Sequence, residues 1–320
     1  MSGLRLDKAA LVHIALIAIL FGLQFVLPEY HHLSLARIMV LATYAVGYNL
    51  LFGYAGLLSL GHAMFFAAGL YGAGLTAYHL GWEAPAALGA GVLAGLGFSC
   101  AVGLIVLRTT GVSFMIVTMM FAQACYLLTF YFGDLTRGDE GLTIPQALRS
   151  FTALGLPVDL ANPAVRYNLA LALLALAIAI TFAIVRAPAG RVLVAIRENE
   201  ERTTMLGYGT FRYKLLALVL SGAIAAAAGA AYGLLFGYVG STFASIQYSI
   251  LPLLWTLMGG AGTVAGPFFG TLIMFYLGDV SSGYTSAYLL VVGIALVLLV
   301  LFFPKGLLGT LRQKWLPWLP

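Results

Sequence analysis

Charge is scarce in this chain. Only 8% of its 320 residues are Asp, Glu, Lys or Arg, where a soluble domain of this size carries about a quarter. There are 2 cysteines, Cys100 and Cys125, both inside apolar runs. Neither position suits a disulfide or a thiolate metal site, so cysteine usage does not report the compartment. Polar linkers are missing too, and the chain reads as a single transmembrane domain over 1–320. A GxxxxGK[ST] phosphate loop is absent, so the chain cannot cradle ATP by that motif. What is present is apolar: hydrophobic residues make up 62%, Gly numbers 38 and mean hydropathy is +1.00. This is the composition of an all-α polytopic membrane protein. A net charge of +5 does not point to nucleic acid, because the cations fall at span ends. Topology and the lipid bilayer account for them there.

Uncharged runs give the spans, since about twenty apolar residues cross a bilayer. Residues 9–28, 84–107, 109–133, 167–185 and 280–304 read as one helix each. Residues 38–82 hold two and 215–278 three, with breaks expected at Pro252, Gly259-Gly260 and Gly266-Pro267. The total is ten helices, which places both termini on one side. With that side cytoplasmic, twelve cations lie inside: Arg5, Lys8, Arg108, six in the loop 186–214, Lys305, Arg312 and Lys314. Four lie outside, at Arg37, Arg137, Arg149 and Arg166. That bias obeys the positive-inside rule. The first apolar run ends in Leu27-Pro28-Glu29 with no small-x-small cleavage site, and is read as a retained helix. The external segment 134–166, with its Gly-, Thr- and Pro-marked TRGDEGLTIP stretch, reads as an ordered loop rather than a domain. Asp279 is placed near the external surface.

The loop 186–214, RAPAGRVLVAIRENEERTTMLGYGTFRYK, concentrates both signs of charge. Asn199 is a good N-cap, Glu200 and Glu201 follow where the helix dipole favours anions, and Gly207 suits a left-handed stop. These signals predict a two-turn helix over 200–206. Such a short helix needs a packing partner, and Met205 and Leu206 are the apolar knobs it offers. Pro188, Gly190 and Gly207 bracket two short helical pieces, which favours a folded docking loop over an amphipathic connector lying on lipid.

The segment GRVLVAIRENE…LGYGTFRYKLLALVLSGAIAAAAGAAYG resembles the loop and following helix of LivM-type permeases, membrane subunits of branched-chain amino acid ABC importers. YNLLFGYAGLLSLGHAMFFAAGLYGAGL (48–75) is similar to that family's second and third helices. GDEGL (138–142), GGAGTVAGPFFG (259–270) and FFPKGLLG (302–309) are similar to its outer loop and closing blocks. The chain departs from the family pattern at Arg202-Thr203-Thr204, where small apolar residues are usual. The resemblance implies a type II ABC importer-like bundle in the bacterial inner membrane. Its cytoplasmic coupling helix, carried by Arg197, Glu198, Asn199, Glu200, Met205, Leu206 and Gly207, would sit in the groove of an ATPase subunit. It implies two cytoplasmic ATPase subunits, a second related permease subunit and an external, periplasmic substrate-binding protein. No cofactor is expected in this chain, ATP and Mg being used by the ATPases. The chain itself is expected to be no enzyme, with neither catalytic nor metal-binding residues. The implied substrates are leucine, isoleucine and valine, with urea or a short-chain amide as the alternative.

The candidate path is drawn from Asn49, Gly53, Gly56, Ser59, Gly61 and His62, joined by the 259–270 region. Small residues let helices approach closely, and clustered Gly can mark the broken helices transporters use at substrate sites. Polar groups at membrane depth face a cavity or a partner helix. Asn49 and Ser59 therefore read as path or as interhelical bonds, and His62 as path or as solvated at a cytoplasmic turn. Two other classes fit poorly. An intramembrane hydrolase would use Ser59 with His62, or Asp279, yet no GxSxG surrounds the serine and no second intramembrane Asp exists. An ion-coupled secondary transporter needs buried carboxylates, which these spans almost entirely lack.

Overall fold

A computed structural model describes residues 8–153 and 156–314. Of the cations counted above, Arg5 lies outside the described residues, as does the side chain of Lys314. The chain begins with α1 (Lys8–Leu23) and α2 (Glu29–Asn49). Pro28 is extended and Glu29 stands in the first turn of α2, both good starting signals. At Leu50–Tyr54 the helix widens into a π-turn, and the backbone then leaves helical geometry until α3 (Ala63–Leu80). Next come α4 (Ala84–Val106), α5 (Gly111–Tyr131) and the single turn α6 (Gly133–Thr136).

The segment that follows α6 carries short strands among its described residues. Its strand β1 (Leu142–Thr143) is followed by the hairpin β2 (Ser150–Ala153) and β3 (Leu156–Asp159). Asn162 caps α7 (Pro163–Arg186) by accepting from the Ala164 N–H at 2.9 Å. The loop 186–214 folds as α8 (Pro188–Glu198), α9 (Glu200–Met205) and the first turn of α10 (Thr210–Phe236). Left-handed Gly237 stops α10 and leads into β4 (Tyr238–Val239), which pairs antiparallel with β1. Beyond it lie α11 (Ile246–Gly259), α12 (Gly266–Tyr284), α13 (Tyr288–Phe302) and α14 (Gly306–Lys314).

The expected breaks in 215–278 need one correction. Gly259-Gly260 ends α11 and Gly266-Pro267 opens α12, but Pro252 lies inside α11. The first break is Gly237, whose positive φ of 73° only glycine adopts cheaply. The last apolar run is corrected as well: Asp279 sits within α12, which reaches Tyr284, and its carboxylate accepts from the Tyr30 hydroxyl at 2.5 Å. Among the described residues, five helices are long and apolar enough to cross a membrane: α2 with its π-turn, α4, α5, α7 and α10. Lys8–Leu23, Ile246–Gly259 and Tyr288–Leu299 are shorter apolar helices. The chain is thus a mostly helical, multi-pass membrane protein.

Burial ranks the helices. The span of α2 is 89% buried and that of α5 only 17%, so α2 is the central post and α5 lies at the periphery. Small residues knit α3 to α10. A Cβ on Gly229 would strike the Phe66 carbonyl, and one on Gly69 the backbone of Ala226. That close approach replaces the hydrophobic drive missing between helices in lipid. At the C-terminal end of α10 Arg149 donates to the Leu234 carbonyl at 2.7 Å and the Leu235 carbonyl at 2.6 Å, tying the segment before α7 to that helix's last turn. Cations suit that helix end.

Candidate functional site

The charged loop builds a small platform. Val192, Leu193 and Ile196 form the buried face of α8. Asn199 is extended, and its side chain accepts from the Arg202 N–H at 2.8 Å, capping α9. Glu200 and Glu201 stand in the first turn, and Gly207 takes φ 88° just past Leu206. Thr203 is the buried residue of α9 and bonds back to the Asn199 carbonyl at 2.9 Å. Met205 is 79% exposed and Leu206 72%, a pair of large apolar side chains held up by the platform. Glu200 has an inward duty: it pairs with Lys214 of α10 at 2.5 Å, and the Lys214 side chain is only 5% exposed. The sequence reading counted Lys214 among loop cations. Its place in the first turn of a long apolar helix was the signal for burial with a partner.

Arg197 joins this platform to the membrane bundle. Its guanidinium donates to the Gly53 carbonyl at 2.5 Å and to Glu198 at 2.7 Å. Gly56 lies against it with φ 73°, and a Cβ there would come within 2.7 Å of Arg197 Cγ. Both constraints demand glycine. Asn49, fully buried, donates to the Thr263 carbonyl and accepts from the Gly262 N–H, each at 2.9 Å. Arg312 of α14 donates to the Gly262 carbonyl at 3.0 Å. Four stretches distant in sequence therefore meet at one end of the molecule. A cavity of about 510 Å³ opens beside them, lined by Arg197, Gly262, Thr263, Lys305 and Arg312 among others.

Ser59, Gly61 and His62 form a second, separate group, on the non-helical stretch that climbs back into the bundle. The Tyr48 hydroxyl donates to the Ser59 carbonyl at 3.0 Å, and Ser59 Oγ accepts from the Gly61 N–H at 3.3 Å. A Cβ on Gly61 would strike the Thr118 carbonyl, so this glycine marks the crossing with α5. His62 is fully buried, which corrects the solvated alternative. Ser221 Oγ donates to the Gly47 carbonyl at 2.5 Å and lies 3.2 Å from His62 Nε2. With its proton committed, the serine accepts from Nε2–H, leaving buried Nδ1 without a partner among the described residues. The ring stacks on Tyr44 at 5.7 Å and meets the Tyr48 ring edge-on at 5.1 Å.

Those rings belong to a column along the bundle. Tyr44 stacks on Tyr248, Tyr248 packs on Phe66 and Phe243, and Tyr232 links Phe243 to Phe236. Scattered positions carry it, so no single motif announced it. Among the described residues no three His, Cys, Asp or Glu side chains gather as a metal site.

The family model described as branched-chain amino acid transport system / permease component matches residues 32–302. Over 297 residues the chain is 27% identical to the high-affinity branched-chain amino acid transport system permease protein LivM of Escherichia coli. That spans 86% of this chain and 69% of the relative. It is 26% identical over 285 residues to the corresponding permease protein LivH of the same organism, spanning 84% of this chain and 91% of LivH. A shorter match, 33% over 86 residues, is to the probable branched-chain amino acid transport permease protein LivM of Methanocaldococcus jannaschii. It covers 27% of this chain and 25% of that relative. No solved structure matches.

Proposed function

The chain belongs to the branched-chain amino acid transport system permease family, and from that premise we propose a specific machine. It is the membrane permease subunit of an ATP-driven ABC importer for leucine, isoleucine and valine. The chain does not hydrolyse ATP; separate cytoplasmic ATPase subunits do. An external binding protein delivers the substrate. The observation that carries the coupling role is the capped helix α9, which presents exposed Met205 and Leu206 beside a cation–glycine junction at Arg197.

In this reading the ten helices of fourteen residues or more among the described residues all cross the membrane, α11 with help from the preceding 3₁₀ turn Ser241–Ala244. Both termini and the α8–α9 platform are cytoplasmic, in line with the cation bias. One chain offers one α9, whereas a pair of ATPases has two grooves. A second permease subunit completes the pore, and similarity to both LivM and LivH favours a related but different chain. Motion of α9 passes through Arg197 to Gly53 and the π-turn, and through Asn49 to the 262–263 loop. Rearrangement there alternates access along Ser59, Gly61 and His62.

The test is uptake in proteoliposomes carrying the assembled importer and its binding protein, with labelled leucine, urea and acetamide offered in parallel. ATP-dependent accumulation of leucine alone supports the assignment. Accumulation of urea or acetamide alone moves the chain to the amide branch. Leucine uptake driven by a proton gradient without ATP overturns the ABC reading.

A further inference from the structure

Arg37 stands eight residues after Glu29, about 12 Å down α2 by helical rise. Its contacts place it level with Phe236, the last residue of α10, and with Arg166 in the first turn of α7, at the outer end of the bundle. It is exposed in the chain alone. Its guanidinium carbon lies 5.2 Å from the centre of the Phe236 ring. Arg166 lies over the same ring at 5.5 Å.

The two neighbouring outer cations are occupied. Arg149 holds the Leu234 and Leu235 carbonyls, and Arg166 those of Leu160 and Ala161. Arg37 has neither a carboxylate nor a carbonyl partner among the described residues. Asp159, the nearby acid, bonds the Ala161 N–H and Gln146. A cation–π contact leaves the N–H donors of the guanidinium free for an anionic group. An arginine so placed suits the reception of an anion entering the bundle.

Its surroundings fit that role. Phe236 packs on Tyr232 at 4.7 Å, and Phe243 joins Tyr232 to Tyr248, so both tyrosines belong to the aromatic column beneath Arg37. Both rings are only partly buried, and Gln247 beside them is exposed. A guanidinium at the outer end of an aromatic column offers a carboxylate a charged hydrogen bond and an apolar side chain a surface below it.

We propose that Arg37 is the receiving group for the substrate carboxylate at the outer end of the path, with Tyr232 and Tyr248 beneath it for the apolar side chain. The proposal rests on the amino acid reading given above. It assigns the selectivity for a carboxylate to the permease as well as to the binding protein.

The test uses membranes carrying the assembled importer, with leucine presented on its binding protein. Arg37→Cys should lower maximal uptake on the order of ten- to a hundredfold, as expected for a lost charged hydrogen bond. The half-saturating concentration of loaded binding protein should not change. Treatment with an ethylammonium thiosulfonate should restore uptake, and treatment with a methyl thiosulfonate should not. The unmodified wild type, treated alike, controls for Cys100 and Cys125. Phe236→Leu should keep most of the uptake. Four outcomes overturn the proposal: Arg37→Cys within twofold of wild type, equal recovery with the neutral adduct, a Phe236→Leu loss as large as that of Arg37→Cys, or a change confined to the half-saturating concentration. The last would make Arg37 a docking residue. If the wild type carries only neutral amides, the amino acid reading itself fails, and the Arg37 proposal with it.

Discussion

Replacing Glu200 by Gln would strand the Lys214 ammonium. That group is 5% exposed and its partner 39% exposed, at a separation of 2.5 Å. Cutting a fully buried pair by removing one partner costs about 3–5 kcal/mol, whereas exposed pairs contribute about 0.2–1 kcal/mol. Partial exposure of Glu200 lets water screen the orphaned charge, so the cost belongs between these limits, about 1–3 kcal/mol. It falls on the docking of α9 against α10 rather than on the whole bundle, because α9 is six residues long and held at few points. The docked population should drop about 5- to 150-fold relative to the undocked one. Hydrogen exchange of the 199–207 amides in the purified chain reads this directly, and ATP hydrolysis coupled to uptake reads its consequence. Lys214→Met in the Glu200→Gln background should recover most of the protection, since an apolar side chain tolerates the buried site. Unchanged exchange in Glu200→Gln, or strictly additive effects of the two substitutions, would refute the role given to the pair.

Other outcomes follow from the same geometry. Asn49→Ala removes both partners of the Gly262 N–H and the Thr263 carbonyl. It should lower stability by about 1–3 kcal/mol for each group left unsatisfied, seen as a fall in detergent melting temperature. Ser59→Ala loses only a 3.3 Å contact to Gly61 and should melt within about 1 kcal/mol of wild type. A loss of uptake without a loss of melting temperature would then place Ser59 on the path. At the β2–β3 hairpin the Ala161 N–H, and after it Gln146, hold the Asp159 carboxyl below its usual 3.8. Its folded value is lowered, so its stabilisation is complete above that pH and disappears as pH falls through the folded value. Protease resistance of 146–161 should decline below about pH 4 in wild type and be insensitive to pH there in Asp159→Asn. Gly56→Ala meets both a φ of 73° and the Arg197 side chain, and should uncouple ATP hydrolysis from uptake while the importer still assembles.

Much of this was written in the local pattern. Asn199, Glu200 and Gly207 spelled a capped two-turn helix, and α9 has those bounds to within a residue. Apolar runs located the helices, because in lipid hydropathy is the dominant constraint. Proline misled at 252, where the helix continues through it, while the stop at Gly237 carried only a lone glycine as its signal. What no local pattern could supply was pairing across the bundle. Arg197 meeting Gly53, Asn49 bridging 262–263 and Lys214 reaching Glu200 are contacts set by tertiary packing. The candidate path residues were named together, yet they divide into a junction at Asn49, Gly53 and Gly56 and a deeper group at Ser59, Gly61 and His62.

The central claim is that α9 docks on a separate ATPase. Leu206→Cys places a thiol at a position that is 72% exposed, on a background with Cys100 and Cys125 replaced by serine. Cross-linking in intact cells is the most direct measurement. The account predicts a cross-linked partner that carries a GxxxxGK[ST] motif, with a yield that changes when ATP hydrolysis is blocked by vanadate. Labelling of the same thiol by a membrane-impermeant reagent added outside the cell, with no ATPase cross-link, would contradict it.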